Sequence, residues 1–338
     1  MKFYLAPMEG ITGHIYRNAL EKYFPGTDKY FTPFIAPDQN KILRTKERRD
    51  VLPENNHVPE LVPQILTNSA EDFIRTAKVL QELGYEEVNL NLGCPSGTVV
   101  SRKRGSGLLA FPDEVERLLD GIFSKIQMKV SVKTRIGKDD AEDAFWLMEI
   151  YRKFPLSELI IHPRIQKDFY RGEPNQDLFG ELIRASKDQE GGMPSSGHPE
   201  NTFPVCYNGN LLTEKDYLFF AEKFPEVDAV MLGRGVIANP GLIRQIRSGL
   251  KTDKKALRAF HDEVLEEYRS LFGEDKNALF RMKEMWIYMI HLFTNHEKYA
   301  KKIRKAQSLA EYRCAADALF FEQELLPDGP EKWNLPQR

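Results

Sequence analysis

Cys94 follows a short apolar run at residues 88–91 and precedes Pro95 and the loop SGTVVSRKRGSGLL, which carries three glycines and the basic triplet Arg102, Lys103 and Arg104. A thiol in polar, glycine-rich surroundings can act as an acid or a nucleophile, whereas Cys206 and Cys314 read as small hydrophobes. Two other apolar runs close on reactive groups, VSVK on Lys133 and LIIH on His162. A lysine ending an apolar run is costly unless it meets an anion or an acceptor, and the N1/O2 edge of a reduced flavin is such a partner. His162 would donate to the same ring or pack as a satisfied barrel histidine, and the Gln64 amide suits a flavin pyrimidine edge. Asn208-Gly209-Asn210 and Gly233-Arg234-Gly235 each follow an apolar run. Their glycines let backbone N–H groups approach an anion and Arg234 adds a charged donor, so a phosphate site is expected there. No metal site is expected: the histidines are scattered, and His291 and His296 are five apart, the wrong spacing on a helix for shared ligation.

Side chains so far apart in sequence need a scaffold that gathers them. Eight apolar or β-branched runs recur at the intervals of βα units, at residues 3–6, 30–34, 61–65, 88–91, 129–133, 159–162, 205–208 and 229–232. Helical periodicity fills gaps at 15–23, 69–83, 112–126, 141–154 and 213–224, with Ser69 and Asp72 at capping spacing. No GxGxxG turn follows the first run, so the expected α/β fold is a (β/α)8 TIM barrel rather than a doubly wound sheet. Active sites in such barrels lie at the C-terminal strand ends. Here those ends carry Pro7-Met8-Glu9, Gln64, Asn91 and Cys94, Lys133 and Arg135, His162, Asn208-Gly209-Asn210 and Gly233-Arg234. Residues 36–58, with the charged stretch 41–50, look too polar for a barrel helix and are expected to loop over one face. Residues 187–203, KDQEGGMPSSGHPENTF, read as a mobile insertion.

After residue 250 the strand signal stops. Leu279, Met282, Trp286, Met289 and Phe293 step by three and four, a stripe that packs helix on helix. Two units are therefore expected, a barrel over 1–250 and a small all-helical C-terminal domain over 251–338. The chain has 338 residues with 48 Lys+Arg and 50 Asp+Glu, a formal net charge of −2, which excludes wholesale coating of nucleic acid. Locally the picture differs: residues 281–305 hold seven Lys/Arg against two Glu, ending in Lys298, Lys301, Lys302, Arg304 and Lys305. Such a patch either grips a phosphate backbone or is a solvated face. Three cysteines without a CxxC pair, no long apolar run and no signal-like start point to a cytoplasmic chain with neither disulfides nor membrane contact.

The motifs APMEGIT, VNLNLGCPS followed by GSGLL, VSVKTRIG, IIHPR, YNGN and MLGRG, in this order, closely resemble those of the tRNA-dihydrouridine synthases. The resemblance runs by motif from residue 5 to about 245. It implies a barrel with a helical C-terminal domain, FMN as cofactor, NADPH as electron donor and tRNA as partner, in a protein expected to be a monomer. It also implies that the flavin N5 gives hydride to uracil C6 while Cys94 protonates C5. Residues matching Pro7, Met8, Glu9, Gln64, Lys133, His162, Asn208, Gly209, Asn210, Gly233 and Arg234 contact FMN in that family, and those matching Asn91 and Arg135 lie at the uracil. Lys103, Arg104 and the basic cluster of the tail are then candidates for the RNA backbone. One departure stands out: the family's His-Gly-Arg-Thr is His162-Pro163-Arg164-Ile165 here, and because proline removes a donor and stiffens the loop, no role is carried over to Arg164. Two rival functions remain at this stage, a flavin barrel acting on a small pyrimidine, as in dihydroorotate dehydrogenase-like enzymes, and a tRNA-binding protein that has lost its chemistry.

Overall fold

The computed structural model describes all residues except 39–40, 188–201, 327, 331–332, 334 and 336–338. A strand forms at each of the eight expected places, the third in two pieces: β1 (Lys2–Leu5), β2 (Lys29–Phe31), β3 (Leu61–Val62), β4 (Gln64–Ile65), β5 (Glu87–Leu92), β6 (Lys129–Arg135), β7 (Glu158–His162), β8 (Val205–Tyr207) and β9 (Ala229–Leu232). All pairings are parallel, in the order β3-β2-β1-β9-β8-β7-β6-β5-β4. The two ends of this sheet, β3 and β4, are consecutive in the chain and separated only by Pro63, so the sheet closes into an eight-strand barrel. Pro63 has no N–H to give the ladder, yet its carbonyl still accepts from Asn89 N at 2.9 Å, and Gln64 N turns instead to the Thr32 hydroxyl at 3.1 Å.

Among the described residues, ten helices wrap or cap the strands: α1 (His14–Tyr23), α2 (Thr45–Val51), α3 (Ala70–Glu82), α4 (Gly97–Val100), α5 (Pro112–Phe123), α6 (Asp143–Arg152), α7 (Gln176–Lys187), α8 (Glu214–Lys223), α9 (Arg234–Ala238) and α10 (Leu242–Ser248). Local chemistry sets several of their starts. The Ser69 hydroxyl accepts from Asp72 N at 3.2 Å, as its spacing predicts, and Thr213 and Asp216 cap α8 reciprocally. One expectation needs correction, and one helix goes unread in the sequence. Residues 36–58 contain a short helix, α2, because Asp50 is buried beneath it, where its carboxylate takes the backbone and ring N–H groups of His14 at 2.9 and 3.0 Å. The gap between the sixth and seventh runs holds α7, whose Leu178, Phe179, Leu182 and Ile183 are buried at helical spacing. Apart from its end positions, the 187–203 segment lies outside the described residues.

The barrel interior is filled from below by Tyr4, Ala6, Phe31, Val62, Ile160, Cys206, Ala229 and Met231. Cys206 is thus the small hydrophobe expected, but Cys314 is exposed on the final helix. Among the described residues, four helices follow the barrel: α11 (Lys254–Phe272), α12 (Asp275–Met289), α13 (Glu297–Lys305) and α14 (Leu309–Glu322). Leu279, Met282, Trp286 and Met289 bury their stripe among them, and Phe260 on α11 inserts edge-on toward Tyr16 of α1 at 5.5 Å. The apolar cluster that backs the barrel strands runs without a break into these four helices. No helix among the described residues is long and apolar enough to cross a membrane.

Candidate active site at the barrel mouth

The C-terminal strand ends enclose a pocket of about 450 Å³ lined by Pro7, Met8, Glu9, Gln64, Asn91, Cys94, Lys133, Arg135 and His162, all anticipated from the sequence. Beside it lies a cleft of about 60 Å³ that adds Asn208, Gly209, Asn210, Gly233 and Arg234. Pro7, Met8, Lys133, His162 and Tyr170 line both spaces, so the two adjoin. Lys103 and Arg104 line neither. Lys103 is exposed, pairs with Glu114 at 3.0 Å and stands 4.1 Å over the Phe111 ring. Four lining aromatics went unread in the sequence. Phe34 extends past β2, and Phe169 and Tyr170 are adjacent aromatics in the polar loop after β7. Tyr288 comes from α12 of the helical tail. Two guanidinium groups lie over the Tyr170 ring, that of Arg135 at 5.6 Å and that of Arg234 at 4.6 Å from its centroid.

The Cys94 loop is held by backbone bonds. Asn91 Oδ1 accepts from Gly93 N at 3.0 Å and Cys94 N at 2.9 Å, and the Cys94 carbonyl accepts from Ser106 N and Oγ at 3.1 and 2.8 Å. Asn91 in turn donates to Gln64 Oε1 at 2.7 Å, and Gln64 donates to Asn89 at 2.8 Å. Gln64 and Asn91 are therefore links in a buried amide chain at the pocket floor. Gly105 closes the loop with φ +54°, and a Cβ there would sit 2.8 Å from the Cys94 carbonyl oxygen. Gly105→Ala is expected to cost about 1–3 kcal/mol and to displace Cys94, read out as a lower Tm and altered thiol reactivity toward a maleimide; unchanged values would show that the loop yields freely.

Arg135 spends its donors on three carbonyls, Gly93 at 3.0 Å, Ile165 at 2.9 Å and Phe169 at 2.8 Å, tying the loops after β5 and β7 together. Glu9 sits on the rim and pairs with Lys46 of α2. Lys133 has no carboxylate within ion-pair distance among the described residues. Burial and the nearby Arg135 charge lower it from 10.5 to about 8. Burial first, then Arg135, Lys133, Arg164 and Arg234, push His162 well below its ordinary value, so the imidazole is neutral at pH 7. Cys94 moves the other way. Burial raises the thiol, and the Ser96 N–H and the Arg135 and Lys133 charges only partly oppose it, so the group stays protonated near neutrality.

The lining is thus cationic, with Lys133 and Arg135 at the pocket and Lys133 and Arg234 at the cleft, and a protonated thiol stands at one wall. The family model for dihydrouridine synthase (Dus) matches residues 4–328. Among similar proteins, tRNA-dihydrouridine synthase B of Pasteurella multocida (strain Pm70) is 25% identical over 296 residues, covering 85% of this chain and 83% of its own. The probable tRNA-dihydrouridine synthase of Staphylococcus aureus (strain Mu50) is 27% identical over 334 residues, covering 96% and 94%. The solved structure of morphinone reductase superposes with a TM-score of 0.50 at 12% identity over 75% of this chain and 87% of that one, a likeness of fold alone. With a family model matched across nearly its full length, the chain belongs to the dihydrouridine synthase family.

Proposed function

We propose that the protein reduces the C5–C6 double bond of a uridine in tRNA, with FMN as its flavin and NADPH as the electron donor. Family membership makes it a flavin-dependent oxidoreductase. The observation that carries the finer reading is a pair of adjoining spaces with a protonated thiol at one wall and cations lining both. An anionic cofactor fits those cations: Lys133 lacks a carboxylate of its own among the described residues, and the cleft framed by Gly209, Asn210, Gly233 and Arg234 suits a phosphate. Bound flavin supplies the hydride for one end of the uracil double bond. Cys94 supplies the proton for the other, and Lys133 and Arg135 ease formation of the thiolate left behind before solvent reprotonates it. Neutral His162 can serve as a donor without adding charge, and Gln64 and Asn91 hold the Cys94 loop against the pocket.

A uridine in folded tRNA must leave its stack to reach this depth. Tyr288 places the helical tail on the pocket wall, and Arg281 of α12 donates to the Gly10 carbonyl at 3.2 Å beside it. On α13, Lys301, Lys302, Arg304 and Lys305 are exposed and have no carboxylate within 4 Å among the described residues, so they are available to phosphates. Lys298 is less so, being paired with Glu322 at 3.2 Å. Replacing these four available residues by alanine is expected to weaken tRNA binding and lower the salt slope by roughly 1 for each phosphate no longer neutralised, while turnover of free uridine stays the same. An unchanged slope would place the RNA on another face. Deleting the tail is a poorer test, since α1 buries Tyr16 and Phe24 against Phe260 of α11 and would be stripped of its cover.

The direct assay incubates the protein with FMN, NADPH and unmodified tRNA and follows the gain of two hydrogens per uridine by mass spectrometry. Dihydrouridine in tRNA supports the proposal. Equal or faster reduction of free uridine or orotate would favour a small-substrate enzyme, and tight tRNA binding without product would favour a binding protein.

A further inference from the structure

Strand β7 ends on His162, and the Pro163-Arg164 pair that follows it has a geometric consequence. Arg164 N donates to the His162 carbonyl at 2.8 Å, a bond across two residues that makes a γ-turn centred on Pro163. The proline ring fixes φ near the value such a turn needs. The turn folds Arg164 back onto the residue two before it, and its Nη1 lies 3.0 Å from His162 Nε2. Arg164 is itself held. Its Nη2 donates to the Gly172 carbonyl at 2.6 Å, its Nε to the Arg171 carbonyl at 3.2 Å, and Nη1 also reaches Asn210 Oδ1 at 3.4 Å. Its side chain is almost wholly buried, at 1% exposure, so water does not compete for these bonds.

A guanidinium can only donate, so the nitrogen facing it must present a lone pair. We propose that Pro163 and Arg164 form a lock that fixes His162 in its neutral Nδ1–H tautomer and holds it in register with the loop that carries Tyr170. Arg164 is a positioning residue in this scheme: it acts through His162 and through the carbonyls of Arg171 and Gly172. The Nδ1–H becomes the ring's sole N–H, a permanent neutral donor on a residue that lines both the pocket and the cleft. An imidazolium would turn a second N–H onto Arg164, among Lys133, Arg135 and Arg234; burial first, and that repulsion with it, keep the ring neutral. The consequence for the flavin site rests on the function proposed above; the tautomer itself does not.

The test is a ring-nitrogen correlation spectrum of the full-length protein labelled with ¹⁵N-histidine, recorded as purified and again with FMN added, with His162 assigned from its absence in His162→Asn. In the parent, His162 is expected to show the Nδ1–H pattern without titrating between about pH 5.5 and 8. Arg164→Met is expected to give a mixture of tautomers and a midpoint shifted up toward that of a free histidine, about 6.5. Pro163→Gly removes no buried partner and folds even if Arg164→Met does not; it is expected to move the tautomer ratio in the same direction by less. A parent spectrum with the proton on Nε2 overturns the proposal, and so does a parent-like tautomer in Pro163→Gly together with Arg164→Met, or in Pro163→Gly alone should Arg164→Met fail to fold. Because the tautomer is expected with and without FMN, a failure of flavin binding leaves this outcome readable.

Discussion

Cys94→Ala forms dihydrouridine roughly 10²–10⁴-fold more slowly than the parent, the range a positioned general acid contributes, while still binding FMN and oxidising NADPH. The separation of the two activities follows from how the loop is held. Asn91 and Ser106 grip Cys94 by its backbone N–H and carbonyl, so removing the sulfur leaves the loop, the pocket floor and the Gln64–Asn91 chain in place. What disappears is a proton donor whose acidity burial has tuned. The thiol is raised above its ordinary value of 9.0, so it is the protonated form that populates the neutral range. The pH dependence has a definite sign: the acid is present below the raised value, and product formation in the parent declines as pH climbs through it, whereas the residual rate of Cys94→Ala lacks that alkaline limb. The measurement is product per tRNA by mass spectrometry across pH, beside NADPH consumption in the same samples. Equal product from parent and variant would remove Cys94 from the chemistry.

Lys133→Met is expected to change two quantities in opposite directions. Cofactor affinity falls about 10- to 100-fold, as for loss of a hydrogen bond to a charged group, and the purified protein loses its yellow colour. Stability of the cofactor-free protein rises, because the lysine is a poorly neutralised cation beside Arg135. Its shift from 10.5 to about 8 corresponds to about 3 kcal/mol against the charged form, an upper bound on the gain from an apolar isostere. The linkage runs accordingly. Below about pH 8 both folded and unfolded chains carry the proton and the penalty is complete; between about 8 and 10.5 the unfolded chain holds more protons, so parent stability rises with pH, a rise absent from the variant. Urea midpoints for both proteins at pH 7 and 9.5, with flavin absorbance after gel filtration, measure both effects. A variant that keeps its flavin and gains no stability would place the Lys133 ammonium away from any anion site.

The uneven legibility of the site has physical causes. Lys133, His162 and Gln64 stand out because each closes or breaks an apolar run where a polar side chain is expensive, and the two glycine-flanked turns stand out because few structures need that backbone freedom. Lys103 is legible from charge alone, and an exposed lysine is as easily satisfied by Glu114 and the Phe111 ring as by RNA. Helix α7 escapes because the turn-rich residues after it draw the whole gap toward loop. Pro63 escapes because a proline within an edge-like run can be accommodated when a hydroxyl, here that of Thr32, replaces the missing ladder partner.

The order of the strands, the barrel class and the identity of most of the pocket's polar residues were determined by sequence alone, since periodicity and strand-end chemistry are local properties that the chain carries with it. Three things were decided only by tertiary structure. Tyr288 lines the pocket because α12 docks on the β1 loop, where Arg281 meets Gly10 across 271 positions of sequence, a pairing that no local pattern encodes. The protonation states of Cys94, Lys133 and His162 come from burial and from one another's charges, which exist only once the barrel has closed around them. Arg164 took a place beside His162 because a proline-centred turn and three carbonyl or amide acceptors fix where its guanidinium can go, a geometry set by packing rather than by residue type.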